Sequence, residues 1–226
     1  MGWLSVFTIT AFLLTLAGYP LYIQSLFKGG ARPTISSWIA WWITDVVVFA
    51  GMVAADAIVW QMVAYSLGIG ATIFVCVRKK AALGWTWLDT LCLCIVGVAL
   101  VLWSFSNTPE TAIILSLVAE TIGTIPMFRN VWRKPESEPF LPWAIWWVGG
   151  CVGVLAIPEW SIAGAVAPIL FCVLQTLVVV LIARKFGPIG RERMINGLFL
   201  TLFFILASWD WSRLWSAKSR DQPLPR

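Results

Sequence analysis

Residues 20–43 read PLYIQSLFKGGARPTISSWIAWWI, and residues 126–148 read PMFRNVWRKPESEPFLPWAIWWV. Each copy passes from an apolar helix end through a basic loop into Trp-x-x-Trp-Trp, which opens a new apolar run. Pro20 pairs with Pro126, Leu21 with Met127, Tyr22 with Phe128, Gln24 with Asn130 and Lys28 with Lys134. After a one-residue slip in the loop, Trp38, Trp41 and Trp42 pair with Trp143, Trp146 and Trp147. An internal repeat decides an architecture before any other signal does. This one predicts a duplicated bundle.

The surroundings of the repeat say what kind of bundle. The chain has 226 residues, 60% of them hydrophobic and 12% charged, with a mean hydropathy of +0.85. Those values fit a polytopic membrane protein and no soluble class. Residues 1–3 carry no positive charge, so the first apolar run is expected to be a true span and not a cleaved leader. The five cysteines (Cys76, Cys92, Cys94, Cys151 and Cys172) all fall in apolar runs without C-x-x-C spacing. They read as small packing residues and not as a disulfide framework or a metal site.

Spans need about 20 apolar residues. They are read at 3–27, 36–55, 57–77, 86–105, 111–131, 142–157 and 160–183. The loops between them alternate. Lys28 and Arg32 follow the first span, Arg78, Lys79 and Lys80 the third, Arg129, Arg133 and Lys134 border the fifth, and Arg184 and Lys185 follow the seventh. Asp56, Glu110 and Glu159 mark the others, while Glu136 and Glu138 share the fifth loop with its bases. That alternation accounts for most of the +5 net charge and removes the nucleic-acid reading it would otherwise invite. By the positive-inside rule it puts the N-terminus outside, in the plasma or inner membrane. The copies begin four spans apart, an even number, so they enter the membrane in the same direction. The fold class expected is all-α integral membrane, with parallel three-helix repeats at 1–80 and 109–186 joined by a linker helix in 81–108. Residues 187–226 are expected to add a hydrophobic helix and a basic tail. The apolar stretch 197–215 is read as either an eighth span or a partly inserted hairpin.

The 3+1+3 layout, with Pro20 and Pro126 ahead of basic loops, resembles the PQ-loop and SWEET transporter superfamily. Within it the chain is most similar to a family of small prokaryotic multi-pass membrane proteins of unassigned activity, through Arg32-Pro33-Thr34-Ile35-Ser36-Ser37-Trp38. The resemblance implies a solute pathway between two triple-helix bundles, with Pro20 and Pro126 as bending points. The literal Pro-Gln pair is absent; Gln24 and Asn130 fall four residues after each proline.

Charged side chains at bilayer depth cost about 2.5–3.5 kcal/mol on insertion scales, so they are functional candidates by default. Asp45 and Glu120 each lie roughly 13 Å into their spans at 1.5 Å per residue, entering from opposite faces. Both reach the middle of a core about 30 Å thick, the level at which transporters place their sites. Neither is duplicated: Asp45 corresponds to Gly150 and Glu120 to Leu14. No Lys or Arg lies at that depth, so the pair is read as proton-coupling groups. The competing reading is a neutral acid bonded to a backbone carbonyl or to Gln175, Thr121 or Tyr65.

Trp38, Trp41 or Trp42, and Asp45 recur at three- and four-residue spacing and so share a helix face. Trp143, Trp146 or Trp147, and Gly150 form the matching face. Indoles beside an acid can hold a planar or cationic solute, and the candidate solute-binding residues are Trp42, Trp147, Tyr65 and Gln175. Trp38 and Trp143, which start their helices, are expected to anchor at the membrane–water boundary, as are Trp60 and Trp160. Asp89 fits an N-terminal capping role. Gln61 and Tyr65 share a face and either line a cavity or bond neighbouring helices.

The chain has no histidine, which excludes Ser-His triads, Cys-His pairs and H-E-x-x-H zinc sites. No phosphate-binding G-x-x-x-x-G-K-[ST] loop is present. No catalytic residue, cofactor or metal is expected. The expected partners are the lipid bilayer and a small molecule, with self-association open. The expected function is alternating-access transport of a small solute, coupled to protons. The alternative is a receptor or accessory protein that keeps the fold without moving solute.

Overall fold

A computed structural model describes residues 3–80, 84–105, 108–158 and 160–188, together with 190, 192, 196, 197 and 200. Seven helices are set out in order among the described residues: α1 Trp3–Phe27, α2 Ile35–Ala54, α3 Gln61–Lys79, α4 Trp87–Ser104, α5 Pro109–Arg133, α6 Phe140–Leu155 and α7 Ile162–Ala183. A 3-10 turn, Pro135–Ser137, precedes α6. No strand occurs among the described residues. The expected eighth helix lies outside the described residues beyond position 200.

Local chemistry sets the helix ends. Thr108 caps α5 by accepting from the Thr111 N–H, and Pro109 occupies the first helical position, where its missing N–H costs nothing. Ser161 caps α7 through the Gly164 N–H at 3.2 Å. At the start of α4, the Asp89 carboxylate accepts from the Thr86 N–H at 2.7 Å and from the Thr86 hydroxyl. Thr86 and Asp89 thus form half of a capping box. The expected capping role of Asp89 is the observed one, with an addition: Ser36 of α2 also donates to it, and the carboxylate is buried.

Among the described residues, five helices, α1, α2, α3, α5 and α7, are long and apolar enough to cross a membrane. The chain has the makings of a multi-pass membrane protein. Of the two remaining expected spans, α4 has 18 residues, two fewer than 86–105, and α6 keeps the length expected from 142–157. α6 has 16 residues, about 24 Å at 1.5 Å per residue, against a core of about 30 Å. It ends at Leu155 because Pro158 cannot continue a helix. The outer surface is apolar, with Leu13, Leu67, Phe74, Val98 and Val173 among its exposed side chains. Such a surface is stable against lipid and a liability in water.

The helices pack in a definite order. α3 lies against both α1 and α2, and α7 lies against both α5 and α6. α1 pairs with α6 and α2 with α5, while α4 rests on the outside of α5 and touches α2. The α4 contact is a small cluster of Ala40, Val96 and Ala119, and the main core fills the space among the other six helices. Close approach depends on missing side chains. A Cβ at Gly68 would collide with the ring of Tyr19, so that glycine seats α1 against α3.

Candidate functional site

Six helices meet around an internal cavity of about 60 Å3. α2 contributes Trp38, Trp41 and Asp45, spaced three and four residues apart so that they share its inner face. α5 contributes Glu120 and Thr124, which are also four apart. Tyr19 comes from α1, Tyr65 from α3, Trp143 and Trp146 from α6, and Phe171 and Gln175 from α7. Asp45 and Glu120 are 2% and 6% exposed, face the same space and lie within range of each other's charge. Among the described residues, no basic side chain lines the cavity.

Several of its polar atoms are satisfied. Gln175 donates to the Tyr65 hydroxyl at 2.9 Å, and Gln61 donates to the same hydroxyl at 3.2 Å. Gln61 also reaches Thr15 Oγ1 at 2.8 Å and the Gly149 carbonyl at 3.0 Å, joining α3 to α1 and α6. Trp41 donates to Thr124 Oγ1 at 2.8 Å, and Thr124 in turn donates to the Glu120 carbonyl. Others are not satisfied. Asp45 Oδ1, Glu120 Oε2, Gln175 Oε1 and Trp38 Nε1 are buried without a hydrogen-bond partner. Such atoms cost about 1–3 kcal/mol each while they stay empty-handed.

Towards the basic loops the cavity is closed by indoles. Trp38 packs on Trp41 at 5.5 Å between ring centres, Trp41 on Trp143 at 6.2 Å, Trp143 on Trp146 at 5.0 Å and Trp146 back on Trp38 at 6.1 Å. The tilted and edge contacts are those aromatic quadrupoles favour. Tyr22 backs this ring, 4.9 Å from Trp38 and 5.5 Å from Trp146. Behind it sits Glu138, which accepts from Tyr22 at 3.2 Å and from Trp143 Nε1 at 2.9 Å. Lys185 donates to the Glu138 carbonyl at 2.9 Å, and the Arg32 N–H donates to the Ser137 carbonyl at 2.8 Å. Burial pushes the Glu138 carboxyl up to about 7, against the opposing pull of its two hydrogen bonds and the Lys185 charge. Burial also lowers Lys185 from its ordinary value. Towards the acidic loops, Gln61 separates the cavity from a cleft of about 320 Å3 between the ends of α1, α3 and α6.

Four of the six residues expected to bind solute or couple protons therefore line one cavity: Asp45, Glu120, Tyr65 and Gln175. The two tryptophans do not. Trp42 is 44% exposed and sits beside Gly70 on the outer surface. Trp147 is buried but turned towards α7, donating to Thr176 at 2.8 Å. Their neighbours Trp41 and Trp146 take the inner position, because consecutive residues stand about 100° apart around a helix. Trp38 and Trp143 are not boundary anchors; they are 1% and 5% exposed and belong to the ring. Trp60 and Trp160 are exposed, as anchors would be. Of the two hinge candidates, Pro20 lies inside α1 on its exposed side and Pro126 inside α5 on its buried side. Gly150, the counterpart of Asp45, is where the Gln175 amide fits; a Cβ there would press on Gln175 Oε1. Glu138 was readable only as one of two acids in a basic loop. Its sole sequence signal is an acid followed by Pro139 and then, five residues on, by Trp143.

Among the described residues no cluster of three or more His, Cys, Asp or Glu side chains could hold a metal ion. No protein-family model matches the chain, nor does any curated protein or solved structure.

Proposed function

We propose that the chain is a membrane transporter for a small solute, working by alternating access between two parallel three-helix repeats joined by α4. Asp45 and Glu120 are its proton-coupling groups, and the protein belongs with the PQ-loop and SWEET-like transporters. The observation that carries this reading is the shared cavity. Two carboxyls from opposite halves of the chain meet there without a basic partner, at the depth where transporters bind their solutes.

The pairwise packing supports the repeat. α1 on α3, α2 on α3 and α1 on α6 have as counterparts α5 on α7, α6 on α7 and α5 on α2. An indole ring on one side and a Gln61–Tyr65 barrier on the other fit an occluded intermediate. The proposed orientation puts the N-terminus outside and the ring on the cytoplasmic side.

Uptake into proteoliposomes under an imposed pH gradient, beginning with amino acids, sugars and nucleosides, tests the proposal. Accumulation that depends on the gradient and disappears in Asp45→Asn and Glu120→Gln, with both variants folded, is the expected result. A protein that moves no solute and co-purifies with a single partner is an accessory protein instead.

A further inference from the structure

The cavity wall has a chemical bias. Its unpartnered acceptors are Asp45 Oδ1, Glu120 Oε2 and Gln175 Oε1, against one unpartnered donor, Trp38 Nε1. All three acceptor residues are more than nine-tenths buried. A ligand that satisfies them must bring N–H or O–H groups, and more donors than acceptors. Two carboxyls, with no basic residue among the described lining side chains, disfavour an anion. Most of the remaining wall is aromatic, with Ile69, Thr124, Leu174 and Val178 completing it, and indole and phenol faces attract a cation that has been stripped of water. The cavity, about 60 Å3 in volume, favours a small ligand.

We propose that this cavity binds a small primary alkylammonium cation. Its three N–H donors answer the three orphaned oxygens, and its alkyl group lies against the indoles. The proposal rests on reading the cavity as the solute site of a transporter, and it names the class of solute.

The test uses the full chain, purified in detergent, and methylammonium chloride as the probe. Intrinsic tryptophan fluorescence and titration calorimetry at neutral pH and constant ionic strength report binding. Acetamide serves as the neutral analogue, acetate as the anionic one and potassium as the inorganic cation. Saturable binding of methylammonium, roughly tenfold or more tighter than acetamide, is expected, because charge-assisted and cation–π contacts both favour the cation. Asp45→Asn and Glu120→Gln should each weaken it by about tenfold or more, while Trp42→Phe, on the outer surface, should leave it unchanged. The wild-type comparison of methylammonium with acetamide stands even where a variant does not fold. Equal binding of acetamide, or stronger binding of potassium, overturns the proposal.

Radiolabelled methylammonium uptake by proteoliposomes then separates the two claims. Binding without uptake sinks the transport reading and keeps the site. Gradient-driven uptake of a neutral solute that methylammonium neither binds alongside nor inhibits keeps transport and sinks the cation.

Discussion

Glu138 shows how one side chain acquires a property its loop does not announce. It is 2% exposed, and both of its carboxyl oxygens accept hydrogen bonds from aromatic donors. Burial moves its titration from the ordinary 4.5 to about 7. A carboxyl of this kind takes up a proton on folding at any pH between those values. Its contribution to stability is therefore complete below about 4.5 and is lost as pH rises through 7. The size is roughly 3 kcal/mol at most, from 1.36 kcal/mol per tenfold change. Melting temperatures of the detergent-solubilised protein should accordingly fall between pH 5 and pH 8, and Glu138→Gln should flatten that slope. A slope that persists unchanged in the variant would assign it elsewhere. The neighbouring Lys185, also lowered by burial, bonds the Glu138 carbonyl, and Tyr22 and Cys76 lie within range of the carboxyl as well.

At the scale of elements, the start of α4 is held by more than its own sequence. Asp89 accepts from Thr86, just ahead of its own helix, and from Ser36 on α2. Loss of an N-terminal capping group costs about 0.5–2 kcal/mol, and stranding a buried donor such as the Ser36 hydroxyl adds about 1–3 kcal/mol. Asp89→Ala should therefore destabilise the protein by a few kcal/mol, while Asp89→Asn, which keeps an acceptor, should cost less. Chemical or thermal unfolding of the two variants side by side decides this; equal losses would mean that charge, and not the capping bond, matters. The glycines act at the same scale. Gly68 and Gly150 give room to Tyr19 and Gln175, and so determine how closely α1 meets α3 and α6 meets α7.

On the scale of the whole molecule, the indole ring is the feature that no single helix owns. Trp38 and Trp41 come from α2, Trp143 and Trp146 from α6, and Trp146 also donates to the Thr15 carbonyl of α1 at 3.0 Å. In Trp146→Phe that bond is lost and the ring loosens, at about 1–2 kcal/mol for a net hydrogen bond and its packing. The remaining ring indoles should then become more accessible to acrylamide, while the wild type shows quenching confined to exposed residues such as Trp42 and Trp60. Identical quenching of the two proteins would mean that the ring does not seal the cavity.

Much of this was legible in the chain before any coordinates. The apolar runs set the seven helices, because length and hydropathy act locally along a span. The alternation of Lys and Arg between loops is likewise a one-dimensional signal. Asp45, Glu120, Tyr65 and Gln175 could be singled out because polar groups at bilayer depth are costly wherever they point. What could not be read was which of two adjacent tryptophans faces inward, or that Trp38 and Trp143 close a ring instead of lying at the membrane boundary. Adjacent positions differ by about 100° of rotation, and periodicity alone tolerates either. Nor could the sequence reveal Glu138 as a buried hub, since its partners Tyr22 and Lys185 stand 116 and 47 positions away. Composition and spacing determine what must be buried; only the packing of six helices around one small cavity decides what each buried group meets there.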